Sequence, residues 1–164
     1  MTEISHSDKI VACYDTGMKV FLVCSFADQI DIASGRVVLK YRSFTQYLLD
    51  GLREAGFEVA CALEDRDWQL AKDPPEVGLA EDIESIDARD VVVAVSDDKP
   101  AAGVQFELGY AAAKNKRVIL ARSSKDALSL FNQGTVGAGL VTHLSYDNVA
   151  KLLDQLVVAL NAPE

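Results

Sequence analysis

One glutamate stands out in the stretch AAGVQFELGYAAAKNKRVIL, from Ala101 to Leu120. Glu107 sits among Val104, Phe106, Leu108, Ala111 and Ala112, most of which at helical spacing face a core. A carboxylate in that company is either a solvated surface group or an acid set at the mouth of a site. In the second case burial shifts its pKa, and a shifted acid can act as a nucleophile or carry a proton. Further acids lie in EDIESID upstream, and in SDDKPAAG, which holds Asp97 and Asp98. An acidic run such as EDIESID is also what a solvated helix face presents.

The elements that must position these groups follow from the hydrophobic pattern. MKVFLVCSF, from Met18 to Phe26, is a near-continuous apolar run of the kind found in strands covered on both faces. DQIDIASGR reads as a loop. From Val38 to Ala55 the spacing is helical, with Leu39, Phe44, Tyr47, Leu48, Leu52 and Ala55 recurring, and Gly56 ends the helix. FEVACAL (Phe57 to Leu63) is a second strand and EDRDWQLAKDPPE a polar loop. Pro75 opens a helix to Asp87, and DVVVAVS (Asp90 to Ser96) is the clearest buried strand. A helix from Ala101 to Lys114 and the strand Arg117 to Ala121 follow. KDALSLFNQ reads as a short helix, GTVGAG as a glycine-rich loop, LVTHL as a last strand and YDNVAKLLDQLVVAL as an amphipathic helix.

This alternation predicts one doubly wound, flavodoxin-like α/β domain over residues 18–164, with residues 1–17 as an irregular extension. The expected sheet has five parallel strands in the order 2-1-3-4-5. Ligands in such sheets bind beyond the carboxyl ends of the strands, at the switch point between strands 1 and 3. The loops CSFADQ and SDDKPAAG meet there, and Glu107 lies roughly two turns into the helix that the second loop feeds.

Composition narrows the partners. The chain of 164 residues carries a formal charge of −9, which argues against binding a nucleic-acid polymer, because that affinity comes from clustered Lys and Arg. A small anion remains compatible, since one pocket can be locally positive. Cys13, Cys24 and Cys61 have no metal-ligand spacing and read as reduced thiols of a cytoplasmic protein, with Cys24 and Cys61 buried. His6 and His143 have no visible partners, so neither a metal nor another cofactor is expected. No segment has the length of a membrane span, and the first residues do not read as a signal peptide.

The stretch around Glu107 resembles the signature of the nucleoside 2-deoxyribosyltransferase superfamily, G-x-x-x-E-[LI]-G-x-A followed by a short basic turn and a strand. That superfamily includes 2′-deoxynucleoside 5′-phosphate N-hydrolases and hydroxymethyl-CMP hydrolases. The resemblance implies that Glu107 is the nucleophile attacking the anomeric carbon and that Asp82, eight residues before Asp90, is the partner acid. It aligns Ser25, Phe26 and Asp28 with the loop holding sugar, phosphate or base, and Ser129 with a serine that reaches a neighbouring subunit's phosphate. ALEDRDW resembles an A-x-E-R-E-x-W stretch of the hydroxymethyl-CMP hydrolases, which puts Glu64, Arg66 and Trp68 near base or phosphate. SFADQIDIASGR resembles their long first loop. One position departs. Six residues before the nucleophile the transferases carry an Asp and the hydrolases a phosphate-binding Ser; here it is Ala101.

Breaking an N-glycosidic bond builds positive charge on the sugar, which a carboxylate can stabilise or trap covalently. The resemblance implies Glu107 for that role and Asp82, helped by Asp98, for protonating the base. Ser25 and backbone N–H groups near Gly103 suit a 5′-phosphate. The expected function is an N-glycosidase of a nucleoside 5′-monophosphate, using water as acceptor and working as a homodimer or dimer-based oligomer. The alternatives are a 2-deoxyribosyltransferase acting on free nucleosides and a non-catalytic nucleotide sensor. Tyr110, one turn beyond Glu107, reads as core or interface, or as a hydroxyl that holds the nucleophile.

Overall fold

A computed structural model of the chain describes residues 17–25, 29–70, 74–96, 101–125 and 127–163. Residues 1–16 of the expected extension, and the site residues Phe26, Asp28 and Asp98, lie outside the described residues. The chain runs β1 (Lys19–Cys24), β2 (Ile30–Asp31), β3 (Arg36–Val37), α1 (Leu39–Glu54), β4 (Glu58–Ala60), α2 (Ala62–Asp65), α3 (Pro75–Asp87), β5 (Val91–Ser96), α4 (Ala102–Ala113), β6 (Arg117–Ser123), α5 (Leu130–Gly137), β7 (Thr142–Tyr146) and α6 (Val149–Asn161).

The main sheet has five parallel strands in the order β4-β1-β5-β6-β7, which is the 2-1-3-4-5 order that the sequence predicts. Every residue of the central strand β5 is buried, since helices cover both of its faces. Alternate strand residues feed two cores. Val20, Leu22, Cys24, Val93 and Ile119 pack with Leu48, Leu49 and Leu52 of α1 and with Leu152, Leu156 and Leu160 of α6. Phe21, Val23, Val92, Ala94 and Leu120 pack with Ile86 of α3 and with Val104, Leu108 and Ala111 of α4. Cys24 and Cys61 are both buried in the first core, as their apolar flanks suggest. No helix among the described residues is long and apolar enough to cross a membrane.

Four local features differ from the sequence reading. The expected loop DQIDIASGR contains a small antiparallel ribbon, in which Ile30 pairs with Val37 and Asp31 with Arg36. Gly35, at φ 66°, closes its turn. The second strand stops at Ala60, and Cys61 leads into the single turn of α2, which had read as strand and loop. The strand expected at Arg117–Ala121 runs on to Ser123, where it pairs with Tyr146. Finally, α5 begins at Leu130 and continues through Gly134 to Gly137, so part of GTVGAG is helix. Ser129 caps it by accepting from the Asn132 amide at 3.2 Å, and packing outweighs the low helix propensity of the two glycines.

Candidate active site

The site is built from α3, α4 and the turn after α2. In α4, Val104, Leu108 and Ala111 face the sheet. Glu107 is three residues after Val104 and four before Ala111, so it lies on the flank of that buried stripe. In α3 the one fully buried residue is Ile86, and Asp82, one turn earlier, shares its face. Glu107 is the sixth of the twelve residues of α4, and Asp82 lies just past the middle of α3.

Arg66 comes in from the turn after α2. Its Nη2 donates to Asp82 Oδ1 at 3.2 Å, to Glu81 Oε2 at 3.1 Å and to the Gly78 carbonyl at 3.3 Å. The side chains of Arg66 and Asp82 are only 19% and 22% exposed, so this pair is weakly screened by solvent. The backbone turns sharply next to it: Asp67 and Trp68 have φ of 49° and 58°. Such values are strained for residues other than glycine, and the Trp68 ring holds them by sinking into the core at 3% exposure. The Arg42 guanidinium lies 5.3 Å from that ring. Trp68 therefore anchors the turn that aims Arg66.

The electrostatics of Glu107 follow from its neighbours. Burial is the main cause pushing its carboxyl up to about 8, the Asp82 carboxylate adds to the rise, and the Arg66 guanidinium opposes it. Burial also raises Asp82, while Arg66 holds it down through charge and hydrogen bond. Glu107 therefore keeps its proton at neutral pH, while Arg66 favours the charged form of Asp82. Two acids held apart in this way are the arrangement that acid–base chemistry uses.

The remaining candidates fall in several places. Ser25 directly follows β1, half-buried at the switch point, with its amide directed to the Val95 carbonyl at 3.4 Å. Gly103 lies exposed in the first turn of α4, with open space where a side chain would project. Glu64 points to α1, accepting from Arg53 Nη1 at 2.9 Å, and Arg53 holds its pKa down. Ser129 is exposed and its hydroxyl caps α5. The Tyr110 hydroxyl donates to the Asp87 carboxylate at 3.1 Å rather than to Glu107. Sequence reasoning did not assign Cys61 a place here, yet its thiol is close enough to act on Glu107. Arg66 and Asp82 also line a cavity of about 630 Å³ between α2 and α3, with Gln69, Ser85 and Arg89. Glu107 is not part of its wall. Among the described residues no three His, Cys, Asp or Glu side chains gather as metal ligands would.

The comparisons with known proteins show an enzyme of the kind that works on small nucleosides or nucleotides, an N-glycosidase or a deoxyribosyltransferase. The chain belongs to the nucleoside 2-deoxyribosyltransferase family, whose model matches residues 40–148. Similar solved structures include the CMP N-glycosidase BcmB of Clostridium botulinum, with TM-score 0.64 and 20% identity, covering 86% of this chain and 98% of that one. BlsM is similar at TM-score 0.63 and 23% identity, over 88% of this chain and 94% of BlsM. A 2-deoxyribosyltransferase from Bacillus psychrosaccharolyticus is similar at TM-score 0.57 and 19% identity, over 82% and 90%. No curated protein matches the sequence.

Proposed function

We propose that the protein is an N-glycosidase that cleaves the base–sugar bond of a nucleoside 5′-monophosphate, with Glu107 as nucleophile and water as acceptor. The observation that carries this reading is the half-buried Glu107–Asp82 pair, in which burial pushes Glu107 up to about 8 and raises Asp82 too, against the charge and hydrogen bond of Arg66. Glu107 attacks the anomeric carbon as the bond to the base breaks. The proton held by the pair passes through Asp82 to the leaving base. A water then attacks the glycosyl–Glu107 ester, its proton returns to the pair, and the sugar phosphate leaves. Arg66 keeps Asp82 oriented between these steps.

Hydrolysis of a monophosphate, rather than transfer between nucleosides, is favoured by the start of α4. Its N-cap is Ala101, no side chain caps it, and its first turn has no acid. The first backbone N–H groups of a helix attract anions, and open space in front of Gly103 leaves room for one. An Asp at position 101 would occupy those donors and repel phosphate.

The transferase reading keeps the same acid pair and differs in the acceptor. The similar structures include both a CMP N-glycosidase and a 2-deoxyribosyltransferase. We further propose a two-fold homodimer. Phe106 is 48% exposed and stacks with Tyr110 at 6.3 Å on α4, an apolar surface that a second copy would cover.

The deciding experiment is incubation with a panel of nucleosides and their 5′-monophosphates, with and without an added free base, followed by chromatography. Release of base from a monophosphate without acceptor is expected. Turnover that requires the added base assigns the transferase instead.

A further inference from the structure

A second cavity, of about 300 Å³, lies on the other side of α4, closed by β6 and α5. Gln105, Leu108, Gly109 and Ala112 turn toward it, whereas Glu107 is about half a turn away around the helix. The cavity is therefore separate from the acid pair, with α4 as a common wall.

Two features of its lining point to a ligand. The Asn132 side chain is 1% exposed, and its Nδ2 has no hydrogen-bond partner among the described residues. The buried Nε2 of Gln105 has none either. Both residues line the cavity. A buried amide N–H without a partner costs free energy, so two beside one cavity are donors awaiting acceptors. Around them the wall is apolar, formed by Leu108, Ala112, Leu120 and Val141.

We propose that this cavity is a binding site for a small neutral, flat molecule that carries carbonyl oxygens, of the cyclic lactam class. The two amide N–H groups supply donors to the carbonyl. No charged side chain lines the cavity, so an anion or cation entering it would lose its hydration without a counter-charge. At Gly109 a flat ring can lie against the helix backbone, because nothing stands within 4 Å of where its Cβ would be. A volume of 300 Å³ matches one or two fused rings. Apolar walls are poor hosts for a cluster of water, although a single water needs two or more polar partners and two amides are present.

The test uses 2-quinolinone as probe, with naphthalene as a control of the same shape that lacks the carbonyl. Side-chain amide signals of Asn132 and Gln105 are followed by 15N-resolved NMR on the full chain. Quinolinone is expected to shift both signals and to bind about tenfold more tightly than naphthalene. Gly109→Leu fills the cavity and should abolish the shifts, and Gln105→Met should weaken binding about tenfold while leaving the Glu107 side of α4 unchanged. If Gly109→Leu does not fold, Gln105→Met still decides. The proposal is overturned if quinolinone shifts neither amide at its solubility limit, or if Gln105→Met leaves its affinity unchanged. It is equally overturned if the amide signals respond only to dilution of the protein, since a second copy then fills the cavity.

Discussion

Arg66 donates to Asp82 at 3.2 Å and favours its charged form, while burial leaves the proton with Glu107. The three residues come from the turn after α2, from α3 and from α4. Catalysis in the proposed mechanism needs the reverse arrangement for an instant, with charge on Glu107 and the proton at the leaving base. A developing positive charge at the anomeric carbon supplies the reason to shift, because it favours the Glu107 anion at that moment and not before.

Replacing either acid tests that pair. Glu107→Gln should cut base release by several orders of magnitude, and Asp82→Asn should cut it by about 10²- to 10⁴-fold, the usual range for a lost proton carrier. Circular dichroism should be unchanged in both. More than a tenth of wild-type turnover in Glu107→Gln would remove Glu107 from the mechanism.

The pH profile reports the proton that the pair shares. kcat/KM should fall above about pH 8 as Glu107 gives up the last proton of the pair, leaving none for the base. It should also fall in acid, as Asp82 takes a second one. Arg66 lowers both acids, so Arg66→Gln should move both limbs to higher pH. A profile that stays in place would mean that Arg66 does not face the working pair.

Glu107→Gln should gain stability at alkaline pH even as it loses activity. The folded-state pKa of Glu107, about 8, lies above its ordinary value of 4.5. The folded state therefore binds the proton more tightly, and its stabilisation is complete below about pH 4.5 and lost as pH rises through 8. Glu107→Gln cannot ionise. It should match the wild type near pH 4 and exceed it at pH 9 by roughly 5 kcal/mol, or roughly 10–20 °C in Tm by calorimetry.

Ala101 is the test of phosphate preference. Two charge-assisted contacts of roughly 1.5–3 kcal/mol each would favour a monophosphate over its nucleoside at least about a hundredfold in kcat/KM. Ala101→Asp should collapse that ratio. The same change should add an N-cap to α4 and stabilise the protein by about 1 kcal/mol, so lost activity could not be blamed on unfolding. An unaltered ratio would place the phosphate elsewhere.

Ser129 separates a cap from a contact. Ser129→Ala removes the cap of α5 and should cost about 1 kcal/mol in urea titration. If Ser129 also reaches a neighbour's phosphate, KM for the monophosphate should rise while kcat holds, and light scattering should find a dimer. A fully active monomer would confine Ser129 to its capping role.

Much of this was legible in the sequence, for physical reasons particular to each element. β5 is covered on both sides, so VVVAV is apolar without alternation and reads as a buried strand. The Pro75 start of α3 and the Gly56 stop after α1 rest on backbone constraints that are local. The ribbon β2–β3 was missed because two residues per strand carry no period. The extent of α5 was missed because Gly134 and Gly137 argue against a helix that tertiary contacts nevertheless maintain.

By itself the sequence determined the strand order, the switch point, and the presence of an acid on the flank of the buried stripe of α4. Those are properties of single elements, encoded by period, composition and motif. Only the tertiary structure decided what that acid is. Glu107 reaches a pKa of about 8 because the packing buries it and α3 brings the Asp82 carboxylate near, against the pull of Arg66, which the turn anchored by Trp68 holds to Asp82. The same packing turned Glu64 away to Arg53 and left Gln105 and Asn132 facing a cavity. Distances between side chains of different helices depend on how those helices pack on the sheet, and no local pattern records them.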